Sequence, residues 1–247
     1  MRLTIVGSGD AFGSGGRLNT CFFLETAKGV LLVDCGASAL IGLKANKLDP
    51  ARIDGIVFSH LHGDHFGAIP YLLLDYQFLS RRDRPLVIAG PPGTRARLEQ
   101  ALEVFFPRSS RNKWRFSWEV SEIEVGKTSD VLGHSITTAE VMHYSGAPST
   151  ALRLSDGQKV FAYSGDTEWV DALKSIADRA DLFIVECYEY RGPTPGHLSW
   201  DILKVRLPEL RARAIMLTHM NPNMLARLDE AKAAGVLVAE DGATIEF

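Results

Sequence analysis

Short apolar or alternating runs, bounded by glycine and polar turns, dominate the first part of the chain. Such runs are typical of β-strands and lie at 2–7, 20–25, 29–34, 53–59 and 85–90. Apolar residues with helical spacing predict helices at 38–48, 66–79 and 93–106, and Pro107 ends the last of these. Three strands therefore precede the first strong helix.

The second half repeats this alternation. It predicts strands at 134–141, 150–154, 159–164, 181–186 and 214–219, and one at the C-terminus. It predicts helices at 168–178, from about 199 onwards, and at 223–234. No linker or low-complexity segment interrupts the pattern. We therefore expect residues 1–247 to form a single domain of the α+β class, with two mixed sheets covered by helices on their outer faces.

Composition places the chain among ordinary globular proteins. It has 247 residues, of which 46% are hydrophobic and 23% charged, enough for a large core. It contains no apolar run of bilayer-spanning length and no signal-peptide pattern, which predicts a cytoplasmic protein without a membrane partner. Cys21, Cys35 and Cys187 have no CxxC spacing and lie in or beside apolar runs, so we expect reduced core residues.

The charge of the chain is unevenly distributed. A net charge of -3 argues against non-specific binding along a nucleic-acid backbone. One segment nevertheless has nine basic residues against three acidic ones: Arg81, Arg82, Arg84, Arg95, Arg97, Arg108, Arg111, Lys113 and Arg115. This basic segment is either a solvated helix face with its flanking loops or a funnel for an anionic substrate. The second interpretation requires that it border the active site.

A glycine-rich loop at residues 7–16 follows the first strand. It is only weakly similar to a dinucleotide-binding loop, because its glycines do not give GxGxxG and because it leads into a strand and not into a helix. We interpret it as a tight connection at one rim of the sheets.

A histidine-rich motif follows the apolar run at 53–59. His60, His62, Asp64 and His65 form the pattern HxHxDH. Imidazole suits borderline metals such as zinc, whereas carboxylate suits harder ions, so this mixed set fits zinc, manganese or iron. Alternate side chains on a loop that leaves a strand can point to opposite sides. The motif therefore predicts ligands for two metals.

Three further candidate ligands each follow an apolar strand: His143, Asp166 and His219. A single histidine or aspartate at a strand end is commonly a cap or a satisfied polar group. Together with HxHxDH, however, these three side chains can project from sheet ends into one cleft. We expect all seven residues to bind a pair of divalent ions, with zinc favoured over manganese or iron.

With these motifs the chain resembles the metallo-β-lactamase superfamily, and within it the branch of tRNase Z and related phosphodiesterases. The resemblance covers nearly the whole chain, through the glycine loop with Arg17 and Asn19, HxHxDH at 60–65, His143, SGDT at 164–167, Glu186, GHLS at 196–199 and LTH at 217–219. The HxHxDH motif is typical of the superfamily, and SGDT with the Glu186 and GHLS pair is typical of the branch. His134 matches no position of the family, and we expect a surface or strand residue there.

The resemblance implies a four-layer αββα sandwich and a homodimer. It also implies a ligand set. His60, His62 and His143 would bind one metal, Asp64, His65 and His219 the other, and Asp166 would bridge the two.

The chemistry of such a site is hydrolysis by a water molecule activated between two cations. Asp64 is the candidate to orient that water and take its proton. An alkoxide leaving group needs a proton in return, and His197, hydrogen-bonded to Glu186, is the candidate general acid. The alternative for His197 is a residue packed beneath a helix start.

The substrate is expected to be a small phosphodiester, with cyclic nucleotides among the candidates. The tRNase Z proteins have a long tRNA-binding arm between the positions of His143 and Asp166, and here only 22 residues separate them. Binding of nucleic acid, as in tRNA 3′ processing, is thus an alternative but not favoured. The remaining alternatives are lactone or lactam hydrolysis and a non-catalytic, metal-stabilised binding module. Tyr188 and Tyr190 could stack on a base.

Overall fold

The computed structural model describes residues 1–247 apart from the side chain of Ser110. The strands are β1 (Arg2–Gly7), β2 (Cys21–Thr26), β3 (Gly29–Val33), β4 (Gly55–Val57), β5 (Leu86–Gly90), β6 (Trp118–Glu122), β7 (Thr128–Val131), β8 (His134–Glu140), β9 (Thr150–Ser155), β10 (Val160–Tyr163), β11 (Leu182–Glu186), β12 (Ile215–Thr218), β13 (Leu237–Val238) and β14 (Thr244–Glu246). The helices are α1 (Ala39–Ala45), α2 (Gly63–Phe66), α3 (Ile69–Phe78), α4 (Thr94–Phe105), α5 (Ala172–Ala177), α6 (Trp200–Arg206), α7 (Pro222–Leu225) and α8 (Leu228–Ala233).

The strands form two seven-stranded sheets. The first sheet has the order β14-β1-β2-β3-β4-β5-β6, and the second has the order β13-β12-β11-β10-β9-β8-β7. Both are mixed: β3 to β6 are parallel in the first sheet and β10 to β13 in the second, while the remaining pairs are antiparallel. Each sheet comes mainly from one half of the chain, with β14 returning to the first.

Three apolar layers hold the sheets and helices together. Between the two sheets lie side chains from both, among them Phe22, Phe161 and Tyr163. A second layer packs α1, α3 and α4 on the first sheet, and a third packs α5, α6 and α8 on the second. This arrangement confirms the predicted sandwich of two mixed sheets flanked by helices. The three cysteines are free and buried, as expected.

One edge of the sandwich collects the ends of strands from both sheets. Strand β8 is antiparallel to β9, and β9 is antiparallel to β10, so β8 ends at the same edge as β10. Strands β11 and β12 are parallel to β10 and end there too. The loops that follow β4, β8, β10 and β12 contain the polar residues singled out in the sequence, and the topology brings these loops together.

Three strands were missed by the hydrophobic pattern: β6, β7 and the two-residue β13. Strands β6 and β7 are short, and polar residues alternate along them. Each is the outermost strand of its sheet, with a neighbour on one side only. An edge strand contributes few side chains to the core and commonly has charged positions, so apolar periodicity does not mark it.

Several predicted helices are shorter or divided in the structure. The helix expected at 223–234 is two helices, α7 and α8, because Arg227 leaves helical backbone with φ of -130°. Asn221 caps the first of these by accepting a hydrogen bond from the Met224 backbone N–H at 3.0 Å. The helix expected at 168–178 covers only Ala172–Ala177. Among the described residues, no helix combines the length and the apolar character needed to cross a membrane.

The basic segment does not form one surface beside the strand ends. Arg82 is buried, and its guanidinium donates to backbone carbonyls, including that of Ile53 at 2.6 Å. Arg84 likewise donates to the Ala51 carbonyl at 2.6 Å. Both lie near the start of β4, opposite the end that leads to His60. Arg97 is on the other side, where it donates to the Leu61 carbonyl at 3.4 Å. The segment as a whole is therefore not a funnel into the candidate site.

His134 is a strand residue, as expected, but it is buried and not on the surface. Its ring contacts the Thr26 hydroxyl at 2.7 Å and the Val131 carbonyl at 3.2 Å. Burial lowers the pKa of His134 below 6.5, so the folded protein favours the neutral ring. Because the unfolded chain then binds the extra proton more readily, this residue's contribution to stability falls as the pH drops below 6.5.

Replacing His134 by alanine is expected to lower the free energy of unfolding by about 1–3 kcal/mol through the lost hydrogen bonds. Urea unfolding at neutral pH measures this loss, and the variant should show a smaller loss of stability between pH 6.5 and 5 than the wild type. Metal content should not change. A variant as stable as the wild type would contradict the structural role.

Candidate metal site

A first group of potential ligands joins the two sheets. His60 and His62 follow β4, and His143 follows β8. Their nearest ring nitrogens lie within 4.8 Å of one another, and His143 Nε2 is 2.9 Å from His62 Nδ1. Three imidazoles with converging nitrogens are a ligand set that suits zinc and related ions. We name these three residues the first ligand group.

A second ligand group lies beside the first and consists of Asp64, His65, Asp166 and His219. Its ligand atoms also lie within 4.8 Å of one another. The Oδ2 atom of Asp166 is 3.2 Å from His65 Nε2 and 3.2 Å from His219 Nε2, and Asp64 Oδ2 is 3.4 Å from His65 Nε2. The structure thus brings together all seven residues that the sequence singled out as metal ligands.

Asp166 lies between the two groups. The same Oδ2 atom that faces His65 and His219 is 3.9 Å from His60 Nε2 and 3.9 Å from His143 Nε2. A carboxylate in this position can contact two cations, which is the role that the resemblance to the metallo-β-lactamase superfamily implies for Asp166. Although burial opposes ionisation, His219 and the neighbouring imidazoles hold the pKa of Asp166 well below its usual range.

Buried polar atoms without partners show that these residues fit cations. Among the described residues, His60 Nε2, His65 Nε2 and Asp166 Oδ1 are buried and make no hydrogen bond. Such atoms are costly in a folded protein unless something satisfies them. Burial also holds the pKa of His60 well below 6.5, so its ring is in the neutral form that coordinates metals. Divalent cations would pair these atoms.

Asp34 supports the second group and was not found from the sequence. Its Oδ2 atom accepts a 2.7 Å hydrogen bond from His65 Nδ1, and Ser59 donates to the same carboxylate through its backbone N–H and its hydroxyl. A hydrogen bond at Nδ1 fixes the tautomer of His65 and leaves Nε2 free for a metal. The sequence signal that could have identified Asp34 is its position directly after β3, a strand that is parallel to β4.

Replacing Asp34 by asparagine should therefore weaken metal binding by roughly 10- to 100-fold, because the carboxylate no longer orients His65. Competition with a chromophoric chelator measures the affinity. Asp54→Asn is the matched control, since Asp54 also caps a strand and pairs with Arg84 but lies near the start of β4. Equal affinities in the two variants would show that Asp34 does not act on the metal.

His197 and Glu186 form a hydrogen-bonded pair at the margin of both groups. His197 Nδ1 is 3.0 Å from Glu186 Oε1, and that oxygen also accepts a 2.6 Å hydrogen bond from the Thr167 backbone N–H. Burial disfavours the charged imidazolium, but the bond to Glu186 outweighs it and raises the pKa of His197 to about 9. The His197 ring lies 4.9 Å from that of His143. The pair therefore places a protonated imidazole beside the ligands.

The backbone at two of these positions is strained. His219 has φ of 61° and Asp34 has φ of 57°, both in the left-handed region that residues other than glycine rarely adopt. The His219 backbone N–H donates to the Ser8 carbonyl at 3.0 Å, which ties this turn to the glycine-rich loop. Strained backbone of this kind is concentrated at functional sites, where the surrounding structure holds it in place.

The ligand groups open into a cavity of about 290 Å³, named here the metal cavity. Besides ligands it is lined by Ala11, Phe12, Tyr188, Thr194 and His197. Of the two tyrosines that could stack on a base, Tyr188 faces this cavity. Tyr190 lies elsewhere, with its hydroxyl bonded to Glu230 at 2.6 Å.

Comparison with known proteins agrees with the fold. Human tRNase Z, short form, superposes over 100% of this chain and 99% of its own, with a TM-score of 0.79 and 24% identity. Ribonuclease Z of Bacillus licheniformis is 25% identical over 85% of both chains. The probable metallo-hydrolase YhfI of Bacillus subtilis is 25% identical over 89% of this chain and 87% of its own.

The protein is thus a metal-dependent hydrolase with the metallo-β-lactamase fold. Within that class, residues 1–242 match the family described as Anti-Pycsar protein Apyc1, and the chain belongs to this family.

Proposed function

We propose that the protein is a phosphodiesterase that hydrolyses a small phosphodiester, with a cyclic mononucleotide as the substrate. The observation that carries this proposal is the His197–Glu186 pair beside two ligand groups, with Asp166 lying between them. A lactam or thioester can be opened without a proton donor of this kind, whereas the alkoxide leaving group of a phosphodiester needs one. Membership of a family that degrades cyclic nucleotides supports the same substrate class.

Each residue of the site has a proposed role. Two bound cations would lower the pKa of a water molecule and stabilise the charge of an in-line displacement. The two ligand groups would hold those cations, and zinc is the ion that we expect. Asp64, whose carboxylate is partly exposed, would orient the attacking water and accept its proton. His197, kept protonated by Glu186, would donate a proton to the leaving oxygen.

The surroundings of the site support a small substrate. The chain between His143 and Asp166 contains only β9, β10 and short connections, so in this part of the described chain there is no protruding arm. A cavity of about 290 Å³ is near the lower end of the range for small-molecule sites.

Processing of the tRNA 3′ end is the second candidate, and the similarity to Ribonuclease Z of Bacillus licheniformis favours it. It would require a tRNA-binding surface other than the arm.

Homodimerisation and a cytoplasmic location stay predictions. Sedimentation measurements check the first, and cell fractionation checks the second.

A substrate panel tests the proposal. Metal is first quantified in the purified protein, and the zinc and manganese forms are then assayed on cyclic mononucleotides, linear dinucleotides and precursor tRNA. We expect two metal ions per chain and the highest kcat/KM on a cyclic mononucleotide. Cleavage of precursor tRNA alone would favour the second candidate, and tight metal binding without any turnover would favour a non-catalytic binding module.

A further inference from the structure

Phe12 is an apolar side chain that the proposed hydrolysis does not use. It lines the metal cavity, yet 81% of its surface is exposed. A phenylalanine in this state contributes little to the core, and an accessible aromatic ring at the wall of a cavity can stack on a planar group such as a base. Its location and exposure together point to contact with the substrate.

The loop that presents Phe12 is held in one conformation. The buried carboxylate of Asp10 accepts hydrogen bonds from the backbone N–H groups of Phe12 at 3.1 Å and Ser14 at 2.9 Å, and from the Ser14 hydroxyl at 2.6 Å. Asn19 donates to the Asp10 carbonyl at 2.9 Å. Because these hydrogen bonds already fix the loop backbone, little backbone freedom is lost when the ring packs on a planar group, which favours binding.

Tyr188 is the second aromatic side chain of the cavity. Its ring stacks on the His197 ring, with centroids 4.8 Å apart and planes 30° apart. Its backbone is held at both ends: its N–H donates to Glu186 at 3.3 Å, and its carbonyl accepts from the Asn221 N–H at 2.8 Å. Tyr188 is therefore fixed beside the group that would protonate the leaving oxygen.

We infer that Phe12 and Tyr188 form the site for the nucleobase of the substrate, with Phe12 stacking on the base while the phosphodiester lies against the ligand groups. This inference rests on the proposed phosphodiesterase function and adds a specificity determinant to it. In a cyclic mononucleotide the leaving oxygen belongs to the same ribose as the base. A base near Tyr188 therefore keeps that oxygen near His197. Stacking is tolerant of base identity because every base has a π-face.

A neighbouring cavity is the competing location for a base. It measures about 470 Å³, is lined by Trp169, Glu168 and Ile202, and shares Thr194 and His197 with the metal cavity. It contains no residue of either ligand group. One face of Trp169 is already covered by the Arg206 guanidinium, 5.3 Å from the ring centroid. Phe12 is the more accessible ring and, unlike Trp169, lines the cavity that contains ligands, so the base is assigned to it.

The test compares two substrates with the same phosphodiester, cyclic AMP and the 3′,5′-cyclic phosphate of methyl riboside, which has no base. In Phe12→Ala, the KM for cyclic AMP should rise by roughly 5- to 150-fold, the effect of losing one base–aromatic stack. The loss on the baseless substrate should be at least about fivefold smaller. Phe12→Trp should restore the KM. Phe78→Ala is the matched control, because Phe78 is 67% exposed and lies at the far end of α3.

Each contrary result has a distinct meaning. Equal losses on both substrates would overturn the base site while leaving the phosphodiesterase intact, and a selective loss in Trp169→Ala but not in Phe12→Ala would move the base to the neighbouring cavity. If the wild type with zinc or manganese hydrolyses neither substrate, the proposed function fails. Calorimetric binding of AMP against ribose 5-phosphate then decides the base site, which stands only if Phe12→Ala weakens AMP selectively.

Discussion

Replacing Asp166 by alanine is expected to lower kcat/KM for phosphodiester hydrolysis by roughly 1000-fold or more, since bound metals contribute several kcal/mol to the transition state. One oxygen of this carboxylate lies 3.2–3.9 Å from ring nitrogens of four histidines in both ligand groups. Its loss should therefore also reduce the metal content of the purified protein. Elemental analysis and steady-state kinetics on bis(p-nitrophenyl) phosphate measure the two effects.

Asp171→Ala is the matched control, because Asp171 directly precedes α5 and its side chain is 78% exposed, where it forms an ion pair with Lys174 at 2.8 Å. It should retain both metal and activity. Two equivalents of metal and undiminished turnover in Asp166→Ala would show that this carboxylate does not join the two groups.

Replacing His197 by alanine is expected to lower kcat by different factors on different substrates, according to their leaving groups. A substrate that departs as an alkoxide should lose roughly 100- to 10,000-fold in kcat, the usual contribution of general acid catalysis. Bis(p-nitrophenyl) phosphate releases a stable anion that needs no proton, so its loss should be under about tenfold. Metal content should stay unchanged, because His197 belongs to neither ligand group.

His134→Ala is the comparison for this second experiment, as it removes the histidine that lies outside the site. At a temperature where it is folded, that variant should treat both substrates as the wild type does. Equal losses on the two substrates in His197→Ala would remove His197 from the acid role and leave it as a residue that positions the loop.

Much of this site was predictable because the sheet topology brings residues that follow different strands to one edge of the sandwich. HxHxDH follows β4, while His143, Asp166 and His219 follow strands of the other sheet that run in one direction. Apolar runs ending on a histidine or aspartate therefore carried information about three-dimensional position. The pairing of Glu186 with His197 was predicted from the resemblance to the tRNase Z branch, because only Glu186 ends a strand and His197 lies in the loop before α6.

Other features depend on contacts that no local pattern encodes. An aspartate at a strand end, such as Asp34, is common, and its bond to His65 connects positions 31 residues apart. Tyr188 and Tyr190 look equivalent in sequence, but only the former reaches the metal cavity. Strands β6, β7 and β13 were missed because they have few buried apolar side chains. The burial of His134 was not predicted because a single buried histidine leaves no periodic pattern.

The division of the ligands between the two sheets has a consequence for the stability and lifetime of the protein in the cell. Loops of the first sheet contribute His60, His62, Asp64 and His65, and loops of the second contribute His143, Asp166 and His219. Cations bound here would therefore link the two sheets. A cation at 100 times its dissociation constant adds about 2.7 kcal/mol to folding stability. In a cell with little of that metal, the metal-free protein would be less stable and would be degraded faster, so the abundance of the protein would fall with the metal supply.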